Sequence, residues 1–125
     1  MKSSSVRQLH IRHEQRPLGA VAYATIDNAA KLNAINSALM DEIVEGMGAL
    51  AADERLRAVV LTGAGPKAFI AGVDINEMAR IENAAQATAF ITRLHQCCAT
   101  IRDVPVPVIA RIQGYAFGGG LELAA

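Results

Sequence analysis

Residues 57–74, with the sequence RAVVLTGAGPKAFIAGVD, contain the strongest structural signal in the chain. The segment Arg57–Thr62 is short, apolar and rich in β-branched side chains, and Gly63 bounds it, so it predicts a β-strand. A continuous apolar run suits a strand covered on both faces, as in a parallel sheet. The loop that follows leads to Asp74 and Glu77, whose i, i+3 spacing indicates an acidic turn at the start of a helix, with the lining of a pocket as the alternative.

The sequence on both sides of this stretch alternates between strand and helix patterns, which predicts an α/β domain with crossover connections. Turn chemistry in Arg16-Pro17-Leu18-Gly19 separates the first two strands, and Asn36 or Ser37 can cap the first long helix. The predicted elements are strands over residues 6–11 and 20–26, a helix from Ser37, the strand 57–62, a helix from Asn83, a strand over 108–112 and a helix start over 121–125.

Composition excludes several classes of protein. The chain has 125 residues, enough for one domain, and is 52% hydrophobic, so it can bury a core. Twelve basic and twelve acidic residues cancel, and only 4% of residues are aromatic, which argues against a nucleic-acid partner. No apolar run is long enough to span a bilayer and no signal core follows the N-terminus. We therefore expect a cytoplasmic protein without a membrane partner.

Two strand-to-helix corners share a glycine-rich design. The first follows residues 57–62 and continues to Asp74, and the second is Gly114-Tyr115-Ala116-Phe117-Gly118-Gly119-Gly120. Glycines let the backbone take positive φ and let a ligand approach the peptide closely. Free N–H groups, one from each corner, would then form an oxyanion hole. Glycine-rich turns before helices are also common as simple chain punctuation, so each corner alone has two interpretations.

Among the side chains, Glu122 is the strongest candidate for a catalytic residue. It follows three glycines and lies between Leu121 and Leu123. A carboxylate in apolar surroundings has a raised pKa, which suits acid–base catalysis near neutral pH. The alternative is that Glu122 faces solvent from a helix N-terminus, where an acidic residue is favoured anyway.

The histidines and cysteines indicate no further chemistry. His10 and His13 would point to opposite faces of an edge strand, and His95 and Cys97 do not converge on a metal, so we expect no metal site. Cys97 and Cys98 are adjacent in a predicted helix, which makes a disulfide between them improbable. We expect free thiols.

Taken together, these residues resemble the crotonase family, also called the enoyl-CoA hydratase/isomerase superfamily. Three blocks carry the resemblance, in the family's order and spacing. They are residues 28–35 (NAAKLNAI), residues 57–63 (RAVVLTG) followed by residues 67–75 (KAFIAGVDI), and residues 114–123 (GYAFGGGLEL). The resemblance implies an α/β fold with a crotonase-like β-β-α repeat, or spiral, core.

The resemblance also implies a substrate and roles for named residues. The substrate would be an acyl-CoA thioester, with no separate cofactor because CoA is part of the substrate. The backbone amides of Val73 and Gly119 would bind the thioester oxygen as it becomes an enolate, and Glu122 would be one of two carboxylates that activate water. The residues implied to contact CoA or the acyl group are Lys31, Leu32, Ala71, Asp74, Ile75 and Asn76.

Family members are longer than this chain. The resemblance therefore implies that residues 1–125 are the N-terminal part of a crotonase-like domain, truncated before the C-terminal helical region. The second catalytic glutamate and the helices that build trimers would lie beyond Ala125. The expected activity is that of an enoyl-CoA hydratase-type lyase. The alternatives are an isomerase or another crotonase-family enzyme acting on acyl-CoA, an acyl-CoA-binding module without catalysis, and an inactive remnant that pairs through an apolar face.

Overall fold

The computed structural model describes residues 7–125, and the first elements of the chain form an antiparallel hairpin. Strands β1 (Leu9–Arg16) and β2 (Gly19–Ile26) pair along their whole length and leave only two residues in the expected turn. The predicted strand 6–11 is wrong in its bounds, because pairing continues to Arg16; residue 6 lies outside the described residues. The polar residues of β1 hid its length, since alternate side chains of an edge strand can face solvent.

Two further strands extend the hairpin into a sheet with the order β1-β2-β3-β5. Strands β3 (Leu56–Gly63) and β5 (Val108–Arg111) both run parallel to β2, which confirms the crossover connections predicted from the sequence. A second, smaller sheet pairs β4 (Ala68–Ile70) in parallel with β6 (Tyr115–Ala116). Each of the two glycine-rich corners contributes one strand to this second sheet.

The two long helices begin at side-chain caps that the sequence predicts. Asn36 Oδ1 accepts a hydrogen bond from the Leu39 amide at 2.8 Å, and Asn83 Oδ1 accepts one from the Gln86 amide at 2.8 Å. Both caps confirm predicted helix starts. The helices are α1 (Ser37–Ala51), α2 (Ile75–Ala79), α3 (Ala84–Arg102) and α4 (Gly119–Ala124), and a 3-10 turn spans Ala29–Lys31.

The core lies between one face of the large sheet and the helices α1 and α3. Val59 and Leu61 of β3 are buried there with Leu39, Ile43 and other apolar residues of α1. The opposite face of the sheet is half-buried or exposed in the described residues, and Ile109 is 53% exposed. The expectation that β3 is covered on both faces therefore holds on one face only.

The order of the elements forms β-β-α units. The hairpin and α1 form the first unit, β3, β4 and α3 form the second, and β5, β6 and α4 form the third. In the second and third units one strand joins the large sheet and the other joins the small one. This arrangement confirms the β-β-α core that the resemblance implied.

The free thiols and separated histidines are also as expected. Cys97 is buried, Cys98 is half-buried, and neither forms a disulfide. His10 lies 3.6 Å from Asp27, whereas His13, on the other face of β1, lies 3.8 Å from Asp53. No helix within residues 7–125 has the length and apolar character to cross a membrane.

Candidate active site

In the first corner, the amide N–H of Val73 faces away from Ile35, the residue with which Val73 is paired. Gly72, directly before it, has φ +135°, a conformation that favours glycine. Ile35 donates to the Gly72 carbonyl at 2.8 Å and accepts from the Asp74 amide at 2.7 Å. Because both bonds involve the neighbours of Val73, the Val73 N–H points to the opposite side. Within residues 7–125 this N–H has no hydrogen-bond acceptor.

The second corner repeats this device at Gly119. Gly118, directly before it, has φ +48°, and Gly119 is the first residue of α4, so its N–H precedes the helical hydrogen bonds. The described part of the chain supplies no acceptor for this N–H. A Cβ atom built on Gly119 would lie 3.2 Å from Val73 Cγ1. The two predicted amide donors therefore belong to adjacent residues in space, although they are far apart in sequence.

Close backbone packing holds the two corners against each other. A Cβ atom at Gly114 would lie 2.2 Å from the Lys67 carbonyl oxygen, and one at Gly120 would lie 1.8 Å from the Ile70 carbonyl oxygen. Real Cβ atoms cannot approach so closely, so only glycine fits at either position. The glycines thus serve two purposes: positive φ at residues 72 and 118, and close approach at residues 114 and 120.

The loop before α1 forms the wall opposite α2. Leu32 and Asn33 have φ of +54° and +58°, which is unusual for residues with side chains. The Leu32 carbonyl accepts from the Ala71 amide at 3.1 Å, and Lys31 Nζ lies 3.7 Å from Asp74 Oδ2. Strained backbone of this kind is concentrated at ligand-binding sites.

A cleft of about 440 Å³ separates this loop from α2. It contains all the residues implied to contact CoA or the acyl group, together with Val73. Asp74 is buried at its edge and caps α2 by accepting from the Asn76 amide at 2.8 Å. The lining residues are Lys31, Leu32, Ala34, Ala71, Val73, Asp74, Ile75 and Asn76.

Glu122 does not line this cleft. Its side chain is exposed on α4, whereas Leu123 of the same helix turns into the core. In the described residues Glu122 lies instead at a separate cavity of about 200 Å³, beside Cys98 and Arg102. Burial raises the pKa of the Cys98 thiol, and the Glu122 carboxylate raises it further. Of the two interpretations of Glu122, the solvent-facing one describes this arrangement, and its catalytic role stays a prediction.

Two amide side chains at the site were not identified from the sequence. Asn33 is 1% exposed and Gln113 is half-buried, and both donate to the Ala68 carbonyl at 2.9 Å. The only signal for Asn33 was a polar residue between Leu32 and Ala34, and Gln113 had only its place before a glycine. No group of three His, Cys, Asp or Glu residues within residues 7–125 is arranged to hold a metal ion.

Comparison with known proteins gives one family. The model of the enoyl-CoA hydratase/isomerase family matches residues 17–125. The short-chain-enoyl-CoA hydratase of Clostridium acetobutylicum is 39% identical over 106 residues, which are 85% of this chain and 40% of that protein. The mitochondrial methylglutaconyl-CoA hydratase of Mus musculus is 31% identical over 117 residues, 94% of this chain and 37% of that protein.

Solved structures agree with the sequence comparisons. An enoyl-CoA hydratase/carnithine racemase from Magnetospirillum magneticum superposes with a TM-score of 0.87 at 37% identity, covering 96% of this chain and 44% of that one. The chain thus spans about two fifths of the length of the curated relatives that it matches. The family model covers both corners, the loop before α1 and the cleft between them. The chain belongs to the enoyl-CoA hydratase/isomerase family.

Proposed function

We propose that this chain provides the thioester-binding half of an enoyl-CoA hydratase, which adds water across the double bond of a 2-enoyl-CoA. The observation that carries the proposal is the pair of amides at Val73 and Gly119, on adjacent residues beside the cleft, whose N–H groups have no acceptor among residues 7–125. Two preorganised N–H donors are the arrangement that stabilises a thioester oxygen as it gains enolate charge. The names of the relatives, several of them hydratases, favour hydration over isomerisation.

The cleft supports the choice of an acyl-CoA thioester as substrate. It combines apolar groups, among them Ile75, with a cation, Lys31. Lys31 Nζ lies 3.7 Å from Asp74 Oδ2, so this carboxylate neutralises the lysine charge only in part. Apolar walls suit an acyl or pantetheine chain, and an exposed ammonium group suits a phosphate. The proposed reaction needs no separate cofactor, because CoA enters as part of the substrate.

A matched pair of variants tests the amide donors. Gly119→Ala and Gly119→Pro both add a Cβ atom beside Val73, but only proline removes the N–H, and proline is tolerated at the first position of a helix. In a hydratase formed by this chain together with the second glutamate, we expect Gly119→Pro to lower the rate of crotonyl-CoA hydration by about 10²-fold relative to Gly119→Ala. Loss of the conjugated thioester absorbance measures the rate. Equal rates in the two variants would remove Gly119 from the oxyanion hole.

A second pair tests Glu122. We expect Glu122→Gln to abolish hydration and to leave thioester binding, measured by calorimetry, largely intact, because the amide retains the shape but not the basicity of the carboxylate. Glu82→Gln, an exposed change near the start of α3, is the control and should leave both quantities unchanged. Unchanged turnover in Glu122→Gln would contradict the proposed role. Failure of the unsubstituted chain to bind crotonyl-CoA would contradict both the hydratase proposal and the alternative of an acyl-CoA-binding module.

A further inference from the structure

Two side-chain amides from distant parts of the chain meet at one carbonyl group. Asn33 Nδ2 and Gln113 Nε2 each donate to the Ala68 carbonyl oxygen at 2.9 Å. Asn33 is 35 residues from Ala68 in sequence, and Gln113 is 45 residues away. We call Asn33, Ala68 and Gln113 the amide hub. It joins the loop before α1, the first corner and the segment that leads into the second corner.

Asn33 connects the hub to Val73. Its Oδ1 accepts from the Asn28 amide at 2.9 Å, and its Nδ2 also donates to the Ala64 carbonyl at 3.0 Å, so both ends of the buried amide are satisfied. Two residues further along, Ile35 forms the hydrogen bonds that turn the Val73 N–H outward. A shift of the Asn33 backbone would therefore be transmitted directly to Val73.

Gln113 connects the hub to Gly119. Its Nε2, which carries two hydrogens, also lies within hydrogen-bond distance of the carbonyl oxygens of Gly63 at 2.5 Å and Gly65 at 3.0 Å, and its Oε1 lies 3.3 Å from Thr62 Oγ1. Gln113 is followed by Gly114, whose backbone packs against that of Lys67. The segment that leads to Gly119 is therefore bound to the first corner at the point where the second corner begins.

We propose that Asn33 and Gln113 are positioning residues, which set the separation and direction of the Val73 and Gly119 N–H groups through their common bond to Ala68. This inference rests on the proposed function, because it assigns the two amides a shared ligand atom. A fully satisfied buried polar network fixes one geometry better than apolar contacts do, and oxyanion stabilisation depends steeply on donor geometry. Neither side chain lines the cleft between the loop and α2, so we assign both residues a positioning role and not a catalytic one.

The first experiment uses the ligand-free chain. Gln113→Met keeps the side-chain length and removes all its donors, and Gln96→Met, on an exposed position of α3, is the matched control. Asn33→Gly, which suits the positive φ, tests the other side of the hub. In ¹⁵N-labelled protein we expect Gln113→Met and Asn33→Gly each to shift the amide resonances of both Val73 and Gly119, and Gln96→Met to shift neither. Unshifted Val73 and Gly119 resonances in both hub variants would overturn the proposal.

The second experiment separates positioning from simple stabilisation. Acetoacetyl-CoA is a 3-oxoacyl thioester whose enolate has its own ultraviolet absorbance, so binding and enolate stabilisation can be measured apart. We expect Gln113→Met to change its affinity by less than about threefold but to lower the bound enolate fraction by about tenfold or more. Affinity and enolate fraction falling together would assign the hub a purely structural role. If the unsubstituted chain binds no acetoacetyl-CoA, the proposed function fails, and the amide resonances still decide whether the hub positions the two groups.

Discussion

At the residue scale, the two glycine positions 120 and 48 differ in what surrounds them. A Cβ atom at Gly120 would lie 1.8 Å from the Ile70 carbonyl oxygen, a backbone atom that cannot rotate away. A Cβ atom at Gly48, exposed in α1, would have no neighbour within 4 Å. The same change from glycine to alanine therefore has opposite consequences at the two positions.

Gly120→Ala should lower the free energy of unfolding by about 3 kcal/mol or more, because α4 must move away from β4. Gly48→Ala should raise it by about 0.5 to 1 kcal/mol, because alanine has the higher helix propensity. Urea denaturation followed by circular dichroism measures both changes. Comparable stability in Gly120→Ala and the unsubstituted chain would mean that the two corners are not packed as described.

Cys97 gives a pH dependence of stability with a definite sign. Burial is the main cause that raises the pKa of its thiol from 9.0 to about 12. The folded chain keeps this proton where the unfolded chain loses it, so the contribution to stability is full below pH 9 and is lost as the pH rises towards 12. Between pH 8 and 10 the free energy of unfolding should fall by about 1 kcal/mol more in the unsubstituted chain than in Cys97→Ala. Parallel pH profiles would show that Cys97 ionises freely.

At the element scale, the long helices start where the sequence places a capping asparagine. Asn83 is the simpler case, since within residues 7–125 its exposed side chain accepts from the Gln86 amide alone, at 2.8 Å. Asn36 also exchanges hydrogen bonds with Gln8, so its substitution would disturb the residue directly before β1 as well.

Asn83→Ala should destabilise the chain by about 1 kcal/mol, because one amide at the start of α3 loses its acceptor. Asn83→Asp keeps an acceptor, and its charge suits the positive end of the helix dipole, so it should stay within a few tenths of a kcal/mol. The midpoints of denaturant unfolding of the two variants and the unsubstituted chain measure these changes. An equal loss in both variants would mean that the amide group itself, and not the cap, supports the helix.

The elements were more predictable than their contacts. Apolar periodicity and caps are local properties, so the starts of α1 and α3 and the strands β3 and β5 follow from the sequence. The length of β1 does not, because its polar residues become strand only by pairing with β2. For the same reason the role of Glu42 was missed: its Oε1 accepts the amides of Gln8 and Leu9 at 3.0 Å, a contact that spans 33 residues or more.

The residues of the candidate site were likewise predictable only in part. The corners and the residues of the cleft follow from glycine patterns and from the family blocks, and the structure brings all of them together except Glu122. Asn33 and Gln113 could not be recognised, since a single amide carries no pattern until the fold shows which carbonyls it meets. The surroundings of Glu122 also depend on packing that its apolar neighbours in sequence do not determine.

At the scale of the whole molecule, the segment from β5 to α4 exposes large apolar side chains. Tyr115 and Phe117 stack with ring centroids 5.4 Å apart, yet they are 57% and 58% exposed. Ile109, Ile112 and Leu121 of the same segment are more than half exposed as well. Apolar surface gathered in one segment in this way marks a protein contact or a tendency to self-associate.

The chain should accordingly associate at increasing concentration in sedimentation velocity. The double variant Ile109→Thr, Phe117→Ser should weaken this association by about tenfold or more, because it removes apolar area from the exposed segment. Leu18→Ser is the control: Leu18 is 84% exposed but lies in the β1–β2 turn. Association that responds to Leu18→Ser and not to the double variant would place the contact at the hairpin.

The amide hub has a consequence for the order of folding. The hairpin of β1 and β2 closes across two residues, but the bonds of Asn33 and Gln113 to Ala68 close loops of 35 and 45 residues. The entropy lost on closing a loop grows with the logarithm of its length, and contacts between distant residues form slowly. The hairpin can therefore form early and locally, whereas the amides of Val73 and Gly119 come into register only when the last long loop has closed. A nascent or partly unfolded chain would therefore hold its first hairpin before the rest of the sheet and the candidate site had assembled.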